Sequence, residues 1–370
     1  MTINNNTPDI RFSQFSDDWI KGEVKDVLKI KSGMSQRGIE VTGGIYPILA
    51  TGGEIGRTNT PLYDKESVLI GRKGTIDKPY YMDSPFWTVD TLFYSEISED
   101  ASGLFIFTLF QKIQWRKLDT STGVPSLTSS TIHSIPINIP KKSEQIAIGK
   151  YFQHIDKTIA TYRSKYKKVK NLKVTLLSKM FPQAEKKQPE IRLRGFSADW
   201  VEVKLEETLL EQIKGKAQFD KLSNGVVEYL DAARLNKGKP FLCNAKSDVK
   251  QSDILIIWDG SNAGKVYKGF EGALGSTLKA YRTNEKYNSE FIFQHLLKNE
   301  KVIFAEFRTP NIPHVVKDFT SSYTVIAPDI EEQTAIGQFF KQLDDTLALQ
   351  AKQLKALENI KQSLLAKMFV

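Results

Sequence analysis

The stretch Pro140 to Phe181, PKKSEQIAIGKYFQHIDKTIATYRSKYKKVKNLKVTLLSKMF, returns as Pro328 to Phe369, PDIEEQTAIGQFFKQLDDTLALQAKQLKALENIKQSLLAKMF. The offset is 188, and 18 of 42 positions are identical. Apolar residues in the first copy fall at Ile148, Phe152, Ile155, Ile159, Tyr162, Tyr166 and Val169, in alternating steps of four and three. That is the spacing of a coiled-coil seam, and no proline interrupts it. After a local change of phase the seam is expected to continue through Leu172, Leu176 and Met180. The second copy offers Ile336, Phe340, Leu343, Leu347, Leu354 and Leu357, then Ile360, Leu364 and Met368. A helix of about 38 residues is roughly 55 Å long. Alone, it has nowhere to bury such a seam, and the other copy in the same chain is the simplest partner.

Working outward, the rest of the chain is doubled too. Ile10-Arg11-Phe12-Ser13-Gln14-Phe15-Ser16-Asp17-Asp18-Trp19 returns as Ile191-Arg192-Leu193-Arg194-Gly195-Phe196-Ser197-Ala198-Asp199-Trp200, with six of ten positions identical. Between opening and helix the copies share only a frame: Leu69-Ile70 with Leu255-Ile256, Gly74 with Gly260, Thr91-Leu92 with Thr277-Leu278, and Pro125 with Pro313. The expected division is a first head at 1–140, its helix at 141–181, a linker at 182–190, a second head at 191–327 and its helix at 328–370. Pro182 and Pro189 bracket the linker. The heads read as mixed and mostly β. Tyr46 to Leu49, Ser67 to Ile70 and Asp253 to Trp258 have strand character, and Phe105 to Gln114 and Phe291 to Phe304 have helical spacing. The fold class is therefore α+β with an internal pseudo-two-fold repeat.

The 370 residues carry a formal charge of +9 and one cysteine, Cys243. A disulfide framework and a Cys-based zinc site are excluded. No apolar run approaches the roughly 18 residues of a membrane span, and no secretory signal is visible at the N-terminus, so a soluble, cytoplasmic protein is expected. Lys141 to Lys187 holds 13 Lys and Arg against three acids, whereas Asp329 to Val370 is close to neutral. The ordinary reading of that charge is a solvated face; the sharper one is a surface that meets DNA phosphate or an acidic partner. Two similar heads on a stiff spacer suit a two-part target, and equivalent grooves on one face of B-DNA recur about every 34 Å. Since the heads differ in sequence, the two half-sites should differ as well.

The repeated residues give a resemblance. Pro140, Glu144, Gln145, Ala147, Ile148, Gly149, Tyr151, Phe152 and Asp156, with the closing Leu176-Leu177-x-Lys179-Met180-Phe181, recur as Pro328, Glu332, Gln333, Ala335, Ile336, Gly337, Phe339, Phe340 and Asp344 with Leu364-Leu365-x-Lys367-Met368-Phe369. Together with the openings at Trp19 and Trp200, and Gly123-Val124-Pro125 and Asn311-Ile312-Pro313, this doubled pattern is similar to the specificity subunits of type I restriction–modification enzymes over essentially the whole chain. The resemblance implies two target-recognition domains, each followed by a helix, with the helices paired antiparallel. It implies that each head reads one part of a bipartite site in double-stranded DNA. Two modification subunits would transfer methyl groups from S-adenosylmethionine to adenine, and restriction subunits would add ATP- and Mg-dependent translocation and cleavage. No cofactor is expected in this chain.

A search for catalysis agrees with that expectation. Gly260-Ser261-Asn262-Ala263-Gly264-Lys265-Val266 is one residue short of a phosphate loop and has Val266 where a hydroxyl is needed, so it reads as a turn. Gly52-Gly53-Glu54-Ile55-Gly56 is not a dinucleotide fingerprint. Asp77-Lys78-Pro79-Tyr80 departs from the methyltransferase motif at Lys78. His133, His154, His295 and His314 lack metal-ligand spacing. Neither catalytic nor metal residues are assigned.

Candidate DNA contacts follow from donor type and loop position. In the first head they are Lys31, Ser35, Gln36, Arg37, Thr51, Arg57, Arg72, Lys73, Thr75, Ser121 and Thr122. In the second they are Lys214, Lys216, Arg234, Asn236, Lys237, Trp258, Ser261, Asn262, Arg308, Thr309 and Asn311. Any one of these alone reads as an ordinary solvated loop residue; the set carries the argument, because the loops correspond while their residues differ. Candidates for subunit docking or helix pairing are Gln145, Ile148, Gly149, Phe152 and Asp156, with Gln333, Ile336, Gly337, Phe340 and Asp344. A glycine within a helix is unfavourable by about 1 kcal/mol relative to alanine, so Gly149 and Gly337 suggest close approach of another helix, from this chain or a partner. Gly149→Leu is then expected to weaken partner binding while the heads stay folded. Two other classes compete: a stand-alone DNA-binding regulator with a helical spacer, and a self-contained modification–restriction enzyme.

Overall fold

Every residue of Ser67–Gly71 and of Ile254–Ile257 is buried in the computed structural model. Apolar runs without polar alternation become strands covered on both faces. The structure describes residues 7–119, 121–183, 186–310 and 313–370. It falls into two units, Met1–Ser164 with Lys352–Val370, and Lys165–Ala351. This division runs through both long helices and not through the linker.

In the first unit the chain forms β1 (Ile20–Glu23), β2 (Leu28–Ser32), β3 (Tyr46–Ala50), β4 (Gly53–Thr58), β5 (Ser67–Gly71), β6 (Tyr80–Met82), β7 (Trp87–Thr88), β8 (Leu92–Ile97), α1 (Gly103–Lys112), α2 (Ser129–His133) and β9 (Pro136–Ile139), then enters α3 (Lys142–Met180). After α3 come β10 (Val201–Lys204), β11 (Leu209–Lys214), β12 (Asn224–Leu230), α4 (Ala232–Leu235), β13 (Leu242–Cys243), β14 (Ile254–Ile257), β15 (Val266–Tyr267), β16 (Ala273–Leu274), β17 (Leu278–Thr283), α5 (Ser289–Lys298), α6 (Glu300–Glu306), α7 (Phe319–Ser322), β18 (Thr324–Ala327) and α8 (Ile330–Lys367). The sheets repeat. Order β2-β8-β5-β6 recurs as β11-β17-β14-β15, β4-β3-β7 as β13-β12-β16, and β1-β9 as β10-β18. Even the parallel pairing of β3 with β7 has its counterpart in β12 with β16.

The repeated openings explain themselves as packing. Arg11 makes a bidentate pair with Glu144, Nε–Oε1 and Nη2–Oε2 both 2.7 Å, and Arg192 does the same with Glu332 at 2.8 and 2.6 Å. Both glutamates are buried, so each guanidinium neutralises a charge that would otherwise be unsolvated. Trp19 and Trp200 lie in the core, as their place after the repeated Ile-Arg predicts.

The closing motif crosses over. Phe369, which ends the second copy, packs in the first unit against Trp19, Phe105 and Phe152, with ring centroids at 6.2, 5.4 and 6.0 Å. Phe181, which ends the first copy, packs in the second unit against Trp200, Phe291 and Phe340 at 6.3, 5.1 and 5.9 Å. Backbone bonds follow suit, with Ile10 donating to the carbonyl of Lys367 and Ile191 to that of Lys179. Within each unit the helices therefore run antiparallel. In the first, Asp156 meets Lys361 and Arg163 meets Glu358, the partner number falling as the α3 number rises. In the second, Lys173 meets Asp344 and Phe181 meets Phe340. The paired helices and mixed heads are the α+β, antiparallel coiled-coil architecture.

Two details differ from the sequence expectation. The seam does not pass through Leu172 and Ile360, which are 49% and 53% exposed. Lys173 and Lys361, the next residues, take those places, each reaching an aspartate of the facing helix at 2.5 Å. The expected helix at Phe291 to Phe304 is two helices, α5 and α6. Asn299 ends α5, with its side-chain amide donating to the carbonyl of His295 and competing with continuation of the helix.

Candidate nucleic-acid interface

The shared frame residues converge on one turn in each head. After β5, the amides of Arg72 and Lys73 donate to the carbonyl of Thr91, that of Gly74 to Pro125, and that of Leu127 to the carbonyl of Arg72. After β14, the amides of Trp258 and Asp259 donate to Thr277, that of Gly260 to Pro313, and that of Val315 to Trp258. All four distances agree between the heads, at 2.8, 3.2, 2.8 and 2.9 Å in that order. Gly74 and Gly260 have φ of 86° and 102°, a backbone conformation open to glycine and costly for other residues. Because these bonds use only main-chain atoms, the side chains at 72, 73 and 75 and at 258, 259 and 261 are free to differ. The phosphate-loop lookalike at Gly260 is this turn.

The side chains placed there are arranged in opposite senses. In the first head the turn carries Arg72 and Lys73, and the guanidinium of Arg72 lies 5.8 Å from the ring centre of Phe93 on β8. In the second, the turn carries Trp258 and Asp259, and the ammonium of Lys279 on β17 lies 3.2 Å from the ring centre of Trp258. Phe93 and Lys279 are equivalent positions, two after the shared threonine. One cation–π contact thus recurs with its partners exchanged. The second head surrounds its turn with a cleft of about 350 Å³ lined by Lys214, Lys279, Lys317, Trp258, Asp259 and His314. The matching positions of the first head hold Ser32 for Lys214, Ser126 for His314 and Ser129 for Lys317. Burial, reinforced by the positive charge of Lys214 and opposed by Asp259, holds the Lys279 ammonium below the usual lysine range.

The sequence candidates separate into two groups. Arg57 pairs with Glu54 and donates to the carbonyls of Gly44 and Ile45. Lys31 pairs with Glu96 at 3.3 Å. Both the amide and hydroxyl of Ser121 donate to Asp119, building the loop and holding that carboxyl below its usual range. Arg234 pairs with Glu228 and lies over Phe270. Asn236 closes α4 on Ala232 and accepts from Tyr267. Thr309 bonds His314 at 3.1 Å, Arg308 stacks on Phe304 at 3.8 Å, and Thr51 accepts from Tyr80 through its carbonyl. Thr51 aside, whose main chain is used, these side chains are held by neighbours within their own head. Ser35, Arg37, Lys73, Thr122, Lys214, Lys216, Lys237 and Ser261 are exposed, and Gln36, Thr75 and Asn262 half-exposed. Asn311 lies outside the described residues. The sequence reading missed Phe93, Lys279, His314 and Lys317. Three of them sit within two residues of a shared anchor, Leu92, Leu278 or Pro313, and unlike residues beside like anchors are the signal that would have found them.

The helix candidates face inward. The side-chain amide of Gln145 donates to the carbonyl of Pro140 and its oxygen accepts from Ser102 at the start of α1; Gln333 does the same with Pro328 and Asn288 at the start of α5. Ile148, Phe152, Ile336 and Phe340 belong to the cores of their units. A Cβ on Gly149 would stand 2.7 Å from both Leu104 Cβ and the Phe105 amide nitrogen, and one on Gly337 would stand 2.6 Å from Asn288 Oδ1. The close approach is that of the head's own helix, α1 or α5. This corrects the expectation for Gly149→Leu: the substitution would push α1 away, so the head would not stay intact. Asp156 and Asp344 bind the lysines of the facing helix, each with a glutamine amide from its head, Gln111 at 3.4 Å and Gln294 at 2.9 Å. Among the described residues no helix is long and apolar enough to cross a membrane.

Comparison with known proteins gives this arrangement a family. The S subunit of a type I restriction–modification system from M. genitalium has the same fold, with a TM-score of 0.78 at 20% identity, covering 98% of this chain and 99% of that one. A chain from a structure describing complex assembly and conformational transition of the type I R-M system reaches 0.51 at 14% identity, over 95% and 97% of the two chains. The type I restriction enzyme MjaVIII specificity subunit of Methanocaldococcus jannaschii is 30% identical over 179 residues, 46% of this chain and 42% of that protein, so the match spans less than half of that relative. The family model for the type I restriction modification DNA specificity domain matches residues 16–171 and again residues 197–359. The chain therefore belongs to the family of type I restriction–modification DNA specificity domains and carries that domain twice.

Proposed function

We propose that this chain is the sequence-reading subunit of a type I restriction–modification complex. Each head, residues 1–140 and 191–327, reads one part of a bipartite target in double-stranded DNA. The helices, 141–181 and 328–370, hold the heads and offer their exposed faces to modification subunits and, where the system cleaves, restriction subunits; 182–190 serves as the linker. The chain performs no chemistry of its own. S-adenosylmethionine, ATP and Mg belong to the partners. One observation carries this reading: a single main-chain scaffold at each turn presents different side chains to the outside. A scaffold built to be refilled is what two unlike half-sites require. Methylome sequencing of cells with and without the gene tests it. One gapped, asymmetric methylation motif should depend on the gene. A motif that persists without it, or an uninterrupted one, would overturn the reading.

A further inference from the structure

We infer that the residue in the middle of each hub turn, Lys73 in the first head and Asp259 in the second, selects the base read there: Lys73 a guanine, and Asp259 an adenine or a cytosine, whose exocyclic amino groups face the major groove. The inference rests on the DNA-reading function proposed above and names residues for it. The two positions are equivalent, since each amide donates to the shared threonine carbonyl at 3.2 Å. Both side chains are exposed, and among the described residues neither makes an ion pair with a neighbour. Their charges are opposite.

Asp259 carries the sharper argument. It stands in a cleft with three lysines, Lys214, Lys279 and Lys317. Those ammonium groups suit a phosphate backbone, whereas a carboxylate on the same surface repels it. A carboxylate there is favourable if it faces a hydrogen-bond donor. In the major groove the donors are the N4 amino group of cytosine and the N6 amino group of adenine. Trp258, held flat against Lys279, supplies a rigid wall beside it. The first head reverses each element. Its turn offers only donors, Arg72 and Lys73, and the base that presents two acceptors side by side in the groove is guanine, through O6 and N7.

Selection from a pool of randomised duplexes, using the full chain assembled with its modification subunits, tests this directly. The variants are Asp259→Asn, Asp259→Lys and Lys73→Gln, all on an exposed turn, with thermal unfolding to verify that each folds. Asp259→Asn should lose about tenfold of discrimination at one position of the second half-site and leave the first half-site unchanged. Asp259→Lys should shift that position toward guanine. Lys73→Gln should lose discrimination at one position of the first half-site alone. Discrimination within twofold of wild type at every position would overturn the inference, as would a weakening spread evenly over all sequences, which is the mark of a phosphate contact. If the wild-type complex selects no two-part sequence, the failure lies with the proposed function and not with this assignment.

Discussion

Arg72 and Lys73 place two cations on the first head's turn, with a phenyl ring behind; Trp258 and Asp259 place a ring and a carboxylate on the second head's turn, with an ammonium behind. The interiors diverge as well. Within the first head's central sheet Ser67 donates to the carbonyl of Ser95 at 2.7 Å, whereas the matching pair in the second is a buried Asp253, held bidentately by Arg282, and a buried Tyr281. Position 109 is a buried leucine, and its equivalent, position 295, is a buried histidine. What stays constant is the main-chain bonding of the turns, the Arg–Glu pairs and the aromatic boxes. Residues are repeated where geometry is at stake and replaced where only volume or surface is. The two units are thus one scaffold with two fillings.

The largest test concerns the crossed phenylalanines. Removing a buried Phe side chain costs about 3–5 kcal/mol. Phe181→Ala should loosen the second unit, and Phe369→Ala the first, although each residue closes the opposite copy of the sequence. Amide hydrogen exchange reads this: protection should fall across 191–327 for Phe181→Ala and across 10–140 for Phe369→Ala. If each variant loosened its own copy's head, the helices would not be exchanged between the units.

Acid separates the fillings more gently. His295 is buried beside Tyr323 and close to Lys298, and burial first, the lysine second, lowers its pKa to about 3. In the unfolded chain the ring titrates near 6.5, so between those values the unfolded state takes up a proton that the folded state refuses. The stability that depends on a neutral ring is complete above pH 6.5 and is withdrawn as pH falls toward 3, by roughly 1 kcal/mol per pH unit. The first unit has Leu109 in that place, so this contribution is missing there. Between pH 7 and 5 the second unit should lose stability faster, and His295→Leu should remove most of the difference, as followed by thermal unfolding with hydrogen exchange. An unchanged slope in that variant would place the acid sensitivity elsewhere.

Much of this molecule was legible in its sequence, for a physical reason: periodicity and repetition are local. The 4-3 spacing gave two long helices, and the Gly, Thr and Pro anchors marked a frame shared by the two heads. Non-local facts were not legible. Nothing in Leu-Leu-x-Lys-Met-Phe says which head receives the ring. Arg57, Ser121, Arg234 and Asn236 have the donor chemistry of DNA contacts, but a composition reading does not reveal Glu54, Asp119, Glu228 or Tyr267 waiting beside them. Conversely Lys214, Lys279 and Lys317 lie on two strands and a loop and meet only in the fold. A glycine inside a helix signals a close approach, but which element approaches Gly149 and Gly337, α1 and α5, is set by the fold.

The phase of the seam offers the smallest effect and the finest discrimination. Hydropathy alone prefers Leu172 and Ile360 for the interface over the lysines that follow them. The structure makes the other choice in both units, because each lysine finds an aspartate on the facing helix and a glutamine amide completes the carboxylate, so a stem of four methylenes is buried while the charge is matched. Leu172→Gln and Ile360→Gln should therefore shift stability by no more than about 0.5 kcal/mol, as substitutions at an exposed helical site do. Leu177→Gln, at a buried seam position one turn after Lys173, should cost several times as much. Urea unfolding of the three variants distinguishes the cases. Equal losses at 172 and 177 would return the seam to the hydropathy phase and make the paired Lys–Asp contacts a surface feature.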